Sequence, residues 1–210
     1  MPHQRLIVFT KYPTPGFAKT RLIPHLGAEK AAQLHRQLTA HTLQQAQHYC
    51  DQHPCDLEIC YTGSDRASMQ AWLGSGLTYT PQGEGDLGDR MVRALTTAFR
   101  QTVETTVLIG TDCPGMTPSL LWDAFSKLQT YDLVLGPAED GGYYLVGLRR
   151  MEAAQYQPLF HVMPWSTDRV LSETCDRAQR LQLSTALLPT LPDIDRPADL
   201  QHLPPQLQIF

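Results

Sequence analysis

The sequence predicts an α/β fold with a mostly parallel central sheet and helices on both faces. Three observations carry this. Short apolar runs, too brief for helices, recur at Arg5–Thr10, Val107–Ile109 and Asp132–Ala138. Between them lie longer segments whose apolar residues return at three- and four-residue steps, the mark of helices with one buried face. The two patterns alternate through the first two thirds of the chain with no repeat, low-complexity tract or break in composition, so residues 1–210 read as a single domain. With 42% of its 210 residues hydrophobic and 18% charged, the chain can build a substantial core.

The same numbers exclude partners. A net charge of -4, from 17 basic and 21 acidic residues, leaves no electrostatic footprint for nucleic acid or an anionic membrane. No apolar run approaches the roughly 20 residues that cross a bilayer, and Met1–Arg5 leads into a strand without a signal-peptide core, which points to the cytoplasm. Five cysteines, odd in number and without CxxC spacing, suggest neither a disulfide framework nor a zinc site.

The elements follow in order. Arg5–Thr10 is the first strand. Lys11–Leu22 is a loop, because Pro13, Pro15 and Gly16 oppose regular structure. It holds Lys11, Lys19 and Arg21 and no acid, so three cations and backbone N–H groups can surround an anion. Neither GxxxxGK[ST] nor GxGxxG is present; the position directly after the first strand is what favours phosphate over a plain solvated loop. Gly27–Tyr49 is helical, with Ala31, Leu34, Leu38, Thr42, Ala46 and Tyr49 on one face. His35, His41 and His48 fall largely off that seam, and without i, i+4 pairing they do not suggest a metal site.

Asp56–Gly63 alternates Leu57, Ile59 and Tyr61 against Glu58, Cys60 and Thr62 as a second strand. Asp65–Leu73 is a short helix and Leu77–Thr80 a short strand. Gly83, Gly85 and Gly88 then mark a backbone that turns sharply or approaches a ligand closely, at the positive end of a helix with Met91, Val92, Leu95, Ala98 and Phe99 buried. Gly83, Gly85 and Asp86 are candidate nucleotide contacts; alternatively Asp86, Asp89 and Arg90 cap and pair in a plain connection. Val107–Ile109 is a buried strand that stops at Gly110-Thr111-Asp112-Cys113-Pro114, delivering Asp112 to the edge where open α/β sheets bind ligands. An isolated Asp there more often braces its turn, so its role depends on what converges on it.

Thr117-Pro118 opens a helix as an N-cap followed by proline, with Leu121, Ala124, Phe125 and Leu128 inward. Asp132–Ala138 is a strand that runs into Glu139-Asp140-Gly141-Gly142, a hairpin turn or a second acidic contribution to the site, and Tyr143–Leu148 is the next strand. Leu159–Ser166 reads as an apolar loop in which Trp165 anchors the core. Val170, Leu171, Thr174, Ala178 and Leu181 mark a helix, and Ser184–Leu188 a last strand. Leu191–Leu200 puts Asp193 and Asp195 on one face of an extended segment before Pro197 starts a helical turn. The Asp140 turn and the final segments suggest an antiparallel addition to the sheet, and the proline-rich tail is expected to stabilise little.

A cationic loop, a carboxylate after a central strand and late acids have one joint explanation, a nucleotide diphosphate with a divalent metal: carboxylates suit Mg²⁺ or Mn²⁺, and Lys and Arg neutralise phosphate. The ordered motifs FTKYPTPGFAKTRL, QGEGDLGDRM, LIGTDCPGMTP, GPAEDGGYYLVGL and DIDRPADL, spread from Phe9 to Leu200, resemble the GT-A-fold glycosyltransferase-like family associated with radical SAM and selenodomain proteins, some members of which are assigned to arsenosugar biosynthesis. More distantly they are similar to the molybdenum-cofactor and phospholactate nucleotidyltransferases. The resemblance implies a Rossmann-like nucleotide-diphospho-sugar transferase domain in which Asp112 holds the metal in place of the DxD aspartate. Lys11, Lys19 and Arg21 then meet the phosphates. The second DxD acid is absent, so the metal's other ligands are expected from phosphates, water or distant acids such as Asp193 or Asp195, with Asp195 the preferred candidate, and Arg196 stands where a threonine cap is usual.

The expected activity is metal-dependent transfer from a nucleotide sugar to a small-molecule acceptor, with Asp140 or Glu139 orienting or deprotonating the acceptor hydroxyl. The alternatives are nucleotidyl transfer from an NTP to a phosphorylated acceptor, releasing pyrophosphate, and a nucleotide-binding module without catalysis.

Overall fold

A computed structural model describes residues 3–207. Part of the expectation for the start of the chain, at Met1 and Pro2, and the last three residues of the tail lie outside this range. Among the described residues seven strands form one sheet: β1 (Gln4–Lys11), β2 (Cys55–Thr62), β3 (Thr78–Pro81), β4 (Thr105–Ile109), β5 (Leu133–Pro137), β6 (Tyr143–Arg149) and β7 (Thr185–Leu187). The helices are α1 (Ile23–Leu26), α2 (Ala28–Gln52), α3 (Arg66–Leu73), α4 (Leu87–Arg100), α5 (Pro118–Lys127), α6 (Ala153–Phe160) and α7 (Val170–Arg180). No helix among the described residues is long and apolar enough to cross a membrane.

The strand order is β3-β2-β1-β4-β6-β5-β7, and every pairing is parallel except those of β6 with β4 and β5. The fold is thus the mostly parallel α/β sheet the sequence predicts. The antiparallel strand expected after the Asp140 turn is β6 and it is internal, whereas the last strand, β7, runs parallel to β5 rather than being added antiparallel.

Both faces of the sheet are buried, which explains strands that read as continuous apolar runs. Leu6 and Val8 point to one face and pack with Ala46 and Tyr49 of α2 and Leu121 and Phe125 of α5; Ile7 and Phe9 point to the other and pack with Leu95 of α4, Tyr156 of α6 and Ala178 of α7. The alternation in β2 therefore does not separate core from solvent: Ile59 and Tyr61 join the first core, Cys60 the second, and Glu58 is buried beside Arg5.

Three local expectations change. Leu159 and Phe160, expected in a loop, end helix α6, where the Glu152 N–H donates to Gln155 Oε1 at 2.9 Å to start the helix. Pro158 inside it masked the pattern. Thr20–Leu22 closes one 3-10 turn at the end of the proline-marked loop. The tail is not idle: Leu203 and Leu207 are buried in a third cluster with Leu22, Leu34, Leu38 and Ile194, over the start of α2.

Candidate active site

The parallel pairing of β1 with β4 ends at Val8 and Ile109, while β1 continues beside β2 to Lys11. Beyond Ile109 the two chains part at the carboxyl edge of the sheet. β1 is where the strand order reverses, the crevice in which open α/β sheets bind ligands. A cavity of about 430 Å³ opens there, lined by Phe9, Thr10 and Lys11 on one side and Gly110, Thr111 and Asp112 on the other. Arg21, Asp140, Asp193 and Asp195 also line it. A second lobe of about 580 Å³ shares Arg21, Asp140, Ser166, Thr167, Asp193 and Asp195 with the first and adds Glu139, Asp168, Arg196 and Asp199.

Asp112 follows β4 as expected, and its partner is Lys19. The Lys19 ammonium lies 2.5 Å from Asp112 Oδ1 and donates to the Ile194 carbonyl, also at 2.5 Å. Half of the Asp112 side-chain surface, 51%, is open to the cavity although protein surrounds it, whereas only 3% of Lys19 is accessible. Burial by itself would raise the Asp112 pKa, but Lys19 and His35 outweigh it and hold the carboxyl below its ordinary value. Arg21 pairs with Asp195. Lys11 lies 5.8 Å from the centroid of the exposed Phe17 ring.

The acidic turn is the expected hairpin, joining β5 to β6, and it brings Asp140 to the cavity that Asp112 lines. Within it Gly142 N–H donates to Asp140 Oδ1 at 2.8 Å. Asp140 lines both lobes, Glu139 only the second. Burial and the nearby Asp140 carboxylate, helped by Asp199 and Asp195, push the Asp193 pKa up to about 6. The segment before α7 adds Trp165, Ser166 and Thr167 to the lining. Arg177 straps this segment by donating to the carbonyls of Pro158, His161 and Val162. Trp165 is half-buried against the second core, as expected of an anchor, and also lines the cavity.

The glycine loop lies apart from the cavity. Gly83 and Gly85 have φ of +76° and +99°, and neither they nor Asp86 lines either lobe. Asp86 caps α4, its Oδ1 accepting from Asp89 N–H at 2.9 Å while Asp89 returns the bond to Asp86 N–H at 3.1 Å. The capping alternative describes these residues. Gln82 and Leu87 on either side reach the cavity instead.

Two residues depart from what the sequence leads one to expect: His35, expected off the buried seam of α2, lies on it, and Gln82 carries no signal of its own. His35 is only 7% exposed and lines the cavity, its Nε2 2.8 Å from the Lys11 carbonyl; burial first, and then the nearby lysines, lower its pKa against the opposing pull of Asp112. The spacing Ala31, His35, Leu38, Thr42 would have placed it on the buried seam. Gln82 is buried, and its amide donates to the Thr10 and Cys60 carbonyls at 3.2 and 3.0 Å, tying together the ends of β1 and β2. Nothing in its surroundings in the sequence signals this.

The carboxylates are the hard oxygen donors that Mg²⁺ and Mn²⁺ prefer. The two expected ligands nevertheless do not fit one metal. Asp112 already holds Lys19 and Asp195 already holds Arg21, and among the described residues no group of three or more His, Cys, Asp or Glu side chains is arranged to bind an ion. The missing second DxD acid is matched here by a lysine.

Comparison with known proteins places this geometry in a family. The family described as "uncharacterized protein conserved in bacteria", DUF2064, matches residues 42–167. The chain belongs to DUF2064. The matched region contains Asp112 and Asp140, but not the cationic loop or the Asp193–Asp195 segment. A crystal structure from Desulfovibrio desulfuricans G20, provisionally described as a nucleotide-diphospho-sugar transferase, is 34% identical, with a TM-score of 0.86 over 100% of this DUF2064 chain and 89% of that one. Two others share the fold at low identity. Glucosyl-3-phosphoglycerate synthase from Mycobacterium tuberculosis, in complex with Mn²⁺, UDP and phosphoglyceric acid, is 12% identical with a TM-score of 0.58, over 96% of this chain and 74% of that one. The 4-diphosphocytidyl-2C-methyl-D-erythritol synthase of Anaerococcus prevotii DSM 20548 is 10% identical with a TM-score of 0.60, over 96% and 94%. No curated protein matches the chain. The fold is therefore that of nucleotide-diphospho-sugar transferases, a GT-A-like architecture shared by glycosyl- and nucleotidyltransferases.

Proposed function

We propose that this chain is a glycosyltransferase that uses a nucleotide-sugar donor, with residues 1–210 as one nucleotide-diphospho-sugar transferase domain. The observation that carries this is a single crevice at the carboxyl edge of the sheet where cations of one loop meet carboxylates of three other segments. The nucleotide sugar lies across the β1 side. Lys11 and Arg21 meet the negative charge that grows on the diphosphate as it leaves, the term that most lowers the barrier in phosphate-leaving reactions. Asp140, with one oxygen fixed by Gly142 N–H, orients or deprotonates the acceptor hydroxyl from the edge of the second lobe. Glu139 lies further out, which leaves Asp140 as the better base.

The second lobe supports glycosyl over nucleotidyl transfer. Its lining holds Glu139, Asp140, Asp168, Asp193, Asp195 and Asp199 against Arg21 and Arg196. A phosphorylated acceptor would enter against that charge; a neutral polyol or an amine would not. Pyrophosphate release from an NTP with a phosphorylated acceptor would establish the nucleotidyl alternative, and nucleotide binding without turnover of any donor would establish a binding module. The decisive experiment pairs UDP- and GDP-sugars with polyol, amine and phosphorylated acceptors, and adds organoarsenicals to examine the arsenosugar association that the motifs imply. Asp140→Asn should abolish transfer while nucleotide-sugar binding survives; unchanged turnover removes Asp140 from the mechanism.

A further inference from the structure

We propose that Lys19 is the built-in counter-ion of Asp112, a positioning residue that takes the cation's place at the carboxylate where the sequence leads one to expect a metal. The ammonium contacts Asp112 Oδ1 and the Ile194 carbonyl at 2.5 Å each, and its side chain is 3% accessible. It is thus enclosed between the turn after β4 and the segment that carries Asp193 and Asp195. Those two segments are also joined directly, Ile194 N–H donating to the Asp112 carbonyl at 2.9 Å. The ammonium thus already neutralises Asp112 at Oδ1, while the rest of the carboxylate faces the cavity.

The backbone is shaped for this. Lys19 has φ 48°, a left-handed conformation that is uncommon for a residue other than glycine. Ala18 and Leu22 on either side are buried, while Thr20 and Arg21 face outward. The turn drives one long cation inward and leaves the other at the cavity. A buried ammonium whose only partner was a carbonyl would be strongly disfavoured, so Lys19 and Asp112 hold each other in place. The consequence for the site is a fixed positive charge that arrives with the chain rather than from solution.

The inference concerns the site of the proposed transferase, but its test uses Mn²⁺ alone, without donor or acceptor, so its failure is separable from failure of the transferase reading. Mn²⁺ binding to the full chain is followed by electron paramagnetic resonance for wild type, Lys19→Met, Asp112→Asn and the double variant. The expected result is equal Mn²⁺ binding by wild type and Asp112→Asn, a site gained in Lys19→Met, and loss of that gain in the double variant. A wild-type Mn²⁺ site that Asp112→Asn removes, or no gain in Lys19→Met, overturns the proposal. If a single variant does not fold, the double variant, which buries no unpaired charge, is compared with wild type: equal Mn²⁺ binding supports the ion pair as the resident arrangement, and a loss of Mn²⁺ binding in the double variant refutes it.

Discussion

Replacing Gly141 with alanine tests how the acidic turn is held against the segment before α7. Gly141 has φ +87°, and a Cβ built there would lie 2.3 Å from the Asp168 carbonyl oxygen and 2.5 Å from Asp168 Cα. Two costs follow. The left-handed backbone costs an alanine about 1–2 kcal/mol. The clash costs more, since ordinary carbon–oxygen contacts begin near ~3.3 Å and the Asp168 backbone must retreat by about 1 Å; forcing packed groups apart in this way costs about 1–3 kcal/mol. Gly16 provides the control, because its φ is +85° but its Cβ would meet nothing within 4 Å. Gly16→Ala should therefore lose only the backbone part, and Gly141→Ala about 2–5 kcal/mol in urea unfolding. The retreat also strains the Leu171 N–H bond to the Gly141 carbonyl, 2.9 Å long, which starts α7 on the turn. Equal losses for the two variants would show that this segment yields freely and that the turn is not clamped by it.

Three further outcomes are expected. Burial lowers the His35 pKa, so as pH falls its ordinary protonation near 6.5 occurs in the unfolded chain first; the stability it contributes is complete above about 6.5 and is lost as pH falls toward its lower folded value, and His35→Gln should flatten the fall in melting temperature between about pH 7 and 5. An equally steep fall in the variant would place the acid sensitivity elsewhere. Leu207→Ala should cost about 2–3 kcal/mol by guanidinium unfolding, since the side chain is buried in the third cluster; a loss within error of zero would return the tail to the idle role expected of it. Arg21→Ala breaks an exposed pair worth about 0–1 kcal/mol, so melting should hardly move while calorimetric affinity for a UDP-sugar drops about tenfold or more; unchanged affinity would exclude Arg21 from the diphosphate.

Much of this architecture is legible in the sequence because it is local. Asp86 and Thr117 each cap a helix within three residues, and Leu6, Ile7, Val8 and Phe9 announce a strand buried on both faces. Asp112 and Asp140 are legible for the same reason, each following an apolar strand that stops in a turn. What the sequence hid is long-range. Lys19 and Ile194 are 175 positions apart, and only the folded chain shows that the middle cation of the loop is turned inward on an acid. Gln82 is a polar residue in a polar stretch until the ends of β1 and β2 close on it. His35 was hidden by its residue type rather than its position, since histidine on a helix reads as surface even when its spacing is that of the buried face.

The division of charge along the chain explains why the site needs both of its flanks. The DUF2064 region, residues 42–167, contributes carboxylates to the two lobes, Asp112, Glu139 and Asp140, and no lysine or arginine. Lys11, Lys19 and Arg21 come from the loop before it, and Asp193 and Asp195 from the segment after it. The central region by itself would present bare carboxylates and repel the diphosphate of the proposed donor. Docking of the loop reverses this, and the docking is hydrophobic as well as ionic: Ala18 and Leu22 are buried on either side of Lys19, and Leu22 packs with Ile194 of the closing segment. Within the loop the two paired cations differ in how easily they can be released. Lys19 is enclosed by its acid and a carbonyl and would leave a buried charge behind, whereas Arg21, 46% exposed, can exchange Asp195 for phosphate at little cost. The buried pair therefore sets the shape of the crevice, and the exposed pair is the one available to answer an incoming anion.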